Sequence, residues 1–184
     1  MGGQDARQAL NSIIAGAAFD PAKWQVVCDA LPFHVGGKSA VIIPFQQDTV
    51  KISAPHSENI RFGFKRYMEE GWYKEDVRAR GLPAMNARGY ITDKDCIDYD
   101  EVPKSAYYQD LLRPERYKWF VGMKFGHNED SWVMSVQADI HREPFTEAEI
   151  NNLLTFRQQL DTSVAIAREL AGFVWAIGQQ VRPV

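Results

Sequence analysis

Five aromatic side chains, Phe62, Phe64, Tyr67, Trp72 and Tyr73, fall within twelve residues, and Asp76 and several arginines follow directly. Tyrosine and tryptophan carry a hydrogen-bonding tip on an apolar ring, and a carboxylate among such rings can accept from a ligand N–H. A small-molecule pocket is built in this way, from apolar walls and a few placed polar groups. Tyr90, Trp119 and Ser135 come from later segments and extend the candidate ligand-binding set to Phe62, Phe64, Tyr67, Trp72, Tyr73, Asp76, Tyr90, Trp119 and Ser135. The same rings would also serve as plain cover for a sheet, since aromatics make up 12% of the chain.

Other residues with chemical potential fall short of a reaction. Gly36-Gly37-Lys38-Ser39 ends like a phosphate loop, but Pro32 stands where its first glycine belongs and a strand follows instead of a helix. A helix end and turn is the plainer reading. His34, His56, His127 and His141 show no metal-ligand spacing among themselves or with the cysteines. Cys28 lies on the apolar face of a predicted helix, as a small hydrophobe does. Asp93, Asp95 and Asp98 surround Cys96 and disfavour its thiolate. Together with Asp100 and Glu101 those acids lack the glycine and terminal glutamate of a calcium loop, so a solvated loop is expected there, with no metal. No nucleophile or acid–base pair is visible, and no enzyme and no cofactor are expected.

The elements that position these residues follow from periodicity. Asp5–Phe19 repeats Leu10, Ile13, Ile14, Ala17 and Ala18 at helical spacing. Asp20-Pro21 predicts a second helix start, with Asp20 as cap and Trp24, Val27, Cys28 and Leu31 buried. Strands are expected at Ser39–Phe45, Val50–Ala54 and Gly89–Thr92, and a hairpin at Tyr117–Phe125 and Trp132–Ile140. Ile60–Trp72 reads as a helix broken at Gly63, Asp76–Arg80 as a short turn, and Pro103–Leu112 as a helix. Thr146 and Glu149 form a capping box, after which Ile150, Leu153, Leu160, Val164, Ala167, Ala171 and Val174 make one seam interrupted only by Arg157. That predicts a single helix over 146–178, roughly 30 residues long, far above the ordinary length. The expected fold class is α/β (α+β): a five- to six-stranded antiparallel sheet flanked by helices, with a long C-terminal helix.

Composition excludes several classes. The 184 residues suit one domain, and 45% apolar with 24% charged residues is a globular balance. The net charge of −3 with no basic run argues against nucleic-acid binding by this chain itself. No apolar run approaches a membrane span and no signal peptide opens the chain, so a cytoplasmic protein without a membrane partner is expected.

Three stretches resemble the sensor half of LuxR-type transcriptional regulators: Ala17-Ala18-Phe19-Asp20-Pro21-Ala22-Lys23-Trp24, Gly71-Trp72-Tyr73-Lys74-Glu75-Asp76-Val77, and the hairpin entering Pro144-Phe145-Thr146-Glu147-Ala148-Glu149. The resemblance implies a GAF/PAS-like sensor domain, often dimeric, placed before a C-terminal helix-turn-helix. Acyl-homoserine-lactone receptors of that family set a pocket Tyr and Asp nine residues apart, the spacing of Tyr67 and Asp76. Their tryptophan position falls here on Gly63, and Val77 replaces their proline. The resemblance therefore implies a pocket without naming its ligand.

The expectation is one sensor domain over residues 1–184, with a DNA-binding half outside this chain. An unidentified small molecule would bind near Phe62–Asp76, and residues 146–178 would serve as connector and dimerisation helix. Leu160, Val164, Ala167, Ala171 and Val174 would form a homodimer seam, and DNA would be reached only through the second domain. The alternative is a dimerisation module without a ligand, its aromatics serving only as core.

Overall fold

The computed structural model describes residues 2–45, 54–127 and 131–180, with the side chains of 2 and 172–180 excepted. Helices α1 (Gly2–Ala17) and α2 (Lys23–His34) open the chain, and strand β1 (Ser39–Pro44) follows. Next come α3 (Arg61–Glu69), α4 (Leu82–Arg88), β2 (Tyr90–Thr92), β3 (Tyr117–Phe125) and β4 (Trp132–Asp139). Helices α5 (Glu147–Leu154) and α6 (Arg157–Gln180) close it. The strands make one antiparallel sheet in the order β1-β4-β3-β2. This gives four strands among the described residues against the five to six expected; most of the expected strand Val50–Ala54 lies outside them.

Strand alternation sends side chains to two faces. Ala40, Ile42, Met134, Val136, Val121 and Met123 share one face, buried under α1, α2, α5 and α6. Helix α2 contributes Val27, Cys28 and Leu31 to that layer, and the α5–α6 segment contributes Leu153, Phe156 and Leu160. Val41, Ser135, Gln137, Phe120 and Gly122 share the other face, which carries the shorter elements between β1 and β3. A β-bulge between Tyr117 and Phe120 turns both toward that second face.

Three local expectations are corrected. The C-terminal segment is two helices, not one over 146–178. The capping box of Thr146 and Glu149 starts α5 as expected, but Thr155 Oγ1 donates to the Asn152 carbonyl at 2.6 Å and Phe156 N–H to Leu153. A hydroxyl that bonds its own backbone competes with the helix ladder, and α6 restarts at Arg157, whose guanidinium donates to Gly89 O at 2.8 Å. The break leaves Ile150, Leu153, Phe156 and Leu160 all facing the core. Gly63 does not break α3: it is buried inside the helix because Glu115 packs on it, and a Cβ there would meet Glu115 Cγ at 3.1 Å. The expected helix over Pro103–Leu112 is a 3-10 turn (Val102–Lys104) followed by a single π-helical stretch (Tyr107–Leu112).

Candidate functional site

The second face of the sheet is not fully packed. A narrow cavity of about 50 Å³ lies between it, α3 and the π-helical stretch. Val41, Ile43, Ile60, Phe64, Leu111 and Leu112 make its apolar walls. Tyr67, Arg78, Tyr107, Tyr117, Ser135 and Gln137 reach it with polar groups, and Glu115 stands beside Gly63, held by Arg66 at 3.3 Å.

The polar centre is an ion pair inside this cluster. Asp76 caps the 3-10 turn Val77–Gly81 by accepting from Arg78 N–H at 2.9 Å. The same arginine folds back, donating Nε to Asp76 Oδ1 at 2.8 Å and Nη2 to Oδ2 at 2.6 Å. Tyr67 and Tyr107 hydroxyls donate to Oδ2 at 3.1 and 3.2 Å. The two side chains are only 15% and 12% exposed. The guanidinium lies over the rings of Tyr107 and Phe120 at 5.0 and 5.2 Å. Burial opposes its charge, but Asp76, Tyr107 and Tyr67 together outweigh burial and raise Arg78 well above its ordinary value, so it stays a cation. Burial raises Tyr67 and Tyr107, and the neighbouring carboxylate adds to it, so both remain neutral donors.

The π-helical stretch turns Tyr107 and Tyr108 both inward, with their rings 5.8 Å apart at 74°. Tyr108 serves a second buried carboxylate: its hydroxyl donates to Asp93 Oδ1 at 2.6 Å, and Phe120 N–H donates to Oδ2 at 2.8 Å. Asp93 is 1% exposed, so the solvated acidic loop expected around it is corrected at this position. Desolvation pushes its pKa up to about 6 against the donors that lower it. Cys96 is likewise buried, its pKa pushed up to about 12 by burial first and by Asp93 next.

Of the expected ligand-binding residues, Phe64, Tyr67 and Ser135 line the cavity, and Asp76 lies behind Tyr67 and Tyr107. The others lie elsewhere. Phe62 is on the opposite side of α3 from Phe64 and Tyr67, 69% exposed beneath Arg61. Trp72 donates to Glu70, and Tyr73 is exposed with its ring edge toward Tyr67. Tyr90, on β2, is covered by Arg88. The bulge in β3 swings Trp119 toward Tyr99, where its Nε1 donates to Arg142 O at 2.9 Å. Sequence reasoning did not assign Arg78, Tyr107, Gln137 or Asp93 to the site. The Asp-x-Arg spacing at 76–78 was a usable signal for the first. Placement of the other three is tertiary.

The expected dimer seam divides. Leu160 is fully buried in its own domain, which removes it from any interface; Val164 packs partly on the core, Ala167 is half-buried and Ala171 exposed. The side chain of Val174 lies outside the described residues. Among the described residues, no helix is long and apolar enough to cross a membrane and no His, Cys, Asp and Glu group could hold a metal ion.

An antiparallel sheet with the longer helices on one face and short helical turns around a cavity on the other is an α+β architecture. The crystal structure of the VqsR ligand-binding domain from Pseudomonas aeruginosa matches it with a TM-score of 0.60, over 89% of this chain and 97% of that one, at 14% identity. The likeness is one of fold, and it bears out the resemblance drawn from the three sequence stretches. No family model and no curated protein matches the chain.

Proposed function

We propose that this chain is the small-molecule sensor domain of a cytoplasmic LuxR-type transcriptional regulator, binding its ligand between the sheet and the Ile60–Arg78 segment. The observation that carries this reading is the cavity itself: a neutral, charge-paired polar centre walled by apolar side chains, on a fold shared with a ligand-binding domain. Phe64, Tyr67 and Ser135 contact the ligand, with Asp76 acting through Tyr67, Tyr107 and Arg78. Occupancy would rigidify α3 and the 76–81 turn against the sheet, and the population shift would pass through β3 to α6, which packs on that strand. Asp161 of α6 already accepts from Gly126 N–H, at the end of β3, at 2.6 Å. From α6 the signal would reach a DNA-binding domain of the same regulator. Exposed Ile166 and Leu170 support a homodimer contact on the later turns of that helix.

Thermal melting against a panel of cell metabolites tests the reading. A true ligand at about 100 times its Kd adds ~2.7 kcal/mol and raises the melting temperature by about 5 °C or more. Ser135→Leu places a bulky side chain in the cavity and should abolish that rise. A panel that leaves the melting temperature untouched, or raises it equally in Ser135→Leu, rules the site out.

A further inference from the structure

The cavity is far smaller than the role read for it. About 50 Å³ holds a few waters, whereas ligand sites ordinarily offer roughly 300–1,000 Å³. Room must come from an element that can leave, and α3 is held as such an element needs to be. It covers the cavity with Gly63, Phe64 and Tyr67. Its N-terminal side is anchored through the 3-10 turn Glu58–Ile60. Buried Ser57 donates its hydroxyl to Cys28 O and accepts from Ala40 N–H at 2.8 Å. Glu58 N–H donates to Asp29 Oδ1 at 2.8 Å, and Tyr117 donates to Asn59 O at 3.2 Å. Beyond Phe64, in contrast, no residue from Lys65 to Glu75 is buried. Gly71 lies in that stretch at φ +81°, with no atom within 4 Å of where a Cβ would stand, so the chain can flex there without a clash.

The polar contacts that tie α3 across the cavity each have a substitute. Arg66 Nη1 donates to Glu115 at 3.3 Å and Nη2 to Asp110 O at 3.2 Å. Its Nε and Nη2 also donate to Glu70, at the end of the same helix, at 3.0 and 3.1 Å, so the guanidinium keeps a partner when α3 lifts. Tyr67 donates to Asp76 at 3.1 Å, but Asp76 also accepts from Arg78 and Tyr107. Glu115 and Asp110 lie at the rim, where water can replace Arg66. None of these groups is left buried and unpaired, the condition that would make opening costly. The Arg66–Glu115 bridge is itself partly exposed, and such a pair adds little. Phe64 opposes opening, because its buried ring would enter water.

Resting on the sensor reading above, we propose that α3 is a lid. It pivots on the Glu58–Ile60 turn, is latched by Arg66 on Glu115, and lifts its C-terminal end to admit a ligand larger than the closed cavity. Closing over that ligand restores the latch.

Two experiments on the full chain test the lid. The first sets a disulfide across the latch with Gly63→Cys and Glu115→Cys. A Cβ at Gly63 stands 3.5 Å from Glu115 Cβ, within the range a disulfide spans. Oxidation of this variant should slow amide exchange over residues 66–70, read by NMR, about tenfold or more relative to its reduced form, with β4 unchanged. Equal exchange in the two forms overturns the lid.

The second reads access to the cavity. Ser135→Cys is alkylated with iodoacetamide, and Cys28, fully buried in the helical layer, is the internal standard. The thiol introduced at 135 should react about tenfold or more faster than that of Cys28. Adding Glu115→Gln, which keeps the size of the side chain and weakens the latch, should raise the rate at 135 by about two- to fivefold and leave Cys28 as slow. A thiol at 135 that reacts no faster than Cys28, or a Glu115→Gln effect that is absent or shared by Cys28, overturns the lid. Those failures leave the sensor reading to the metabolite panel, whereas a panel without a hit overturns that reading and leaves the exchange and alkylation rates standing.

Discussion

The two faces of one sheet are built from the same strands and used in opposite ways. Under α1, α2, α5 and α6 the strands present Ala, Val, Ile and Met, all buried, and the layer is closed by apolar contacts. On the other face the alternate residues of those strands are Ser39, Ser135 and Gln137 beside Val41 and Phe120, and the cover is short helices and turns held by hydroxyls and ion pairs. The helical face is where hydrophobic burial stabilises the fold. The cavity face gives up packing density for donors and acceptors, and its elements are short enough to move on their own.

The largest loss of stability is expected at the helical face. Phe156, 1% exposed at the junction of α5 and α6 and covered by the Arg7 guanidinium at 4.6 Å, belongs to the layer that stabilises the domain. Phe156→Ala should cost about 3–5 kcal/mol in chemical denaturation. A cost under about 1 kcal/mol would mean that the helical layer is not the stabilising one.

Sequence periodicity exposed the helical face far better than the cavity face. Leu10 and Ile14 of α1, Val27, Cys28 and Leu31 of α2, and the hairpin of β3 and β4 all follow patterns that burial alone dictates, and the Thr146–Glu149 box fixes the start of α5. The break at Thr155-Phe156 escaped because it depends on a hydroxyl bonding back to Asn152 and on Arg157 reaching Gly89, a contact 68 residues away in sequence. On the cavity face, Tyr67 and Asp76 were legible through the family resemblance, whose Tyr–Asp pair they match, and they do bond each other. Asp93 was not legible. Among so many acids it reads as solvated, and only Tyr108 and Phe120, brought in by the π-helical stretch and β3, make burial tolerable. Phe62 shows the converse. It belongs to the same aromatic run as Phe64, yet two positions along a helix point to different sides.

A middle-sized effect sharpens the contrast through pH. The Asp93 carboxyl titrates near 6 in the folded chain against 3.8 when solvated, because burial disfavours its charge. A raised carboxyl stabilises the fold fully below about pH 4, and that contribution is lost as pH rises through about 6. The shift corresponds to at most about 3 kcal/mol. In Asp93→Asn the side-chain carbonyl can still accept from Phe120 N–H, with the amide facing the Tyr108 oxygen. The stability difference between wild type and Asp93→Asn should therefore shift against wild type across that window; a difference flat from pH 4 to 7 would place Asp93 in a better-solvated site than its burial indicates.

The finest test uses adjacent residues of β4 that face opposite ways. Val136 is fully buried against the helical layer, while Ser135 is nearly as buried on the cavity side. Burial is thus almost equal, and only the neighbours differ: a Cβ added at Gly37 would run into Val136 Cγ1 at 2.3 Å, whereas the Ser135 hydroxyl borders open space and accepts a single hydrogen bond from Gln137. Val136→Ala leaves a hole in close packing and should cost about 1–3 kcal/mol by urea denaturation. Ser135→Ala removes an acceptor whose partner amide can turn toward water in the cavity, so its cost should stay below about 1 kcal/mol. If Ser135→Ala proves as damaging as Val136→Ala, the cavity face is as tightly packed as the helical one and has no room for an occupant.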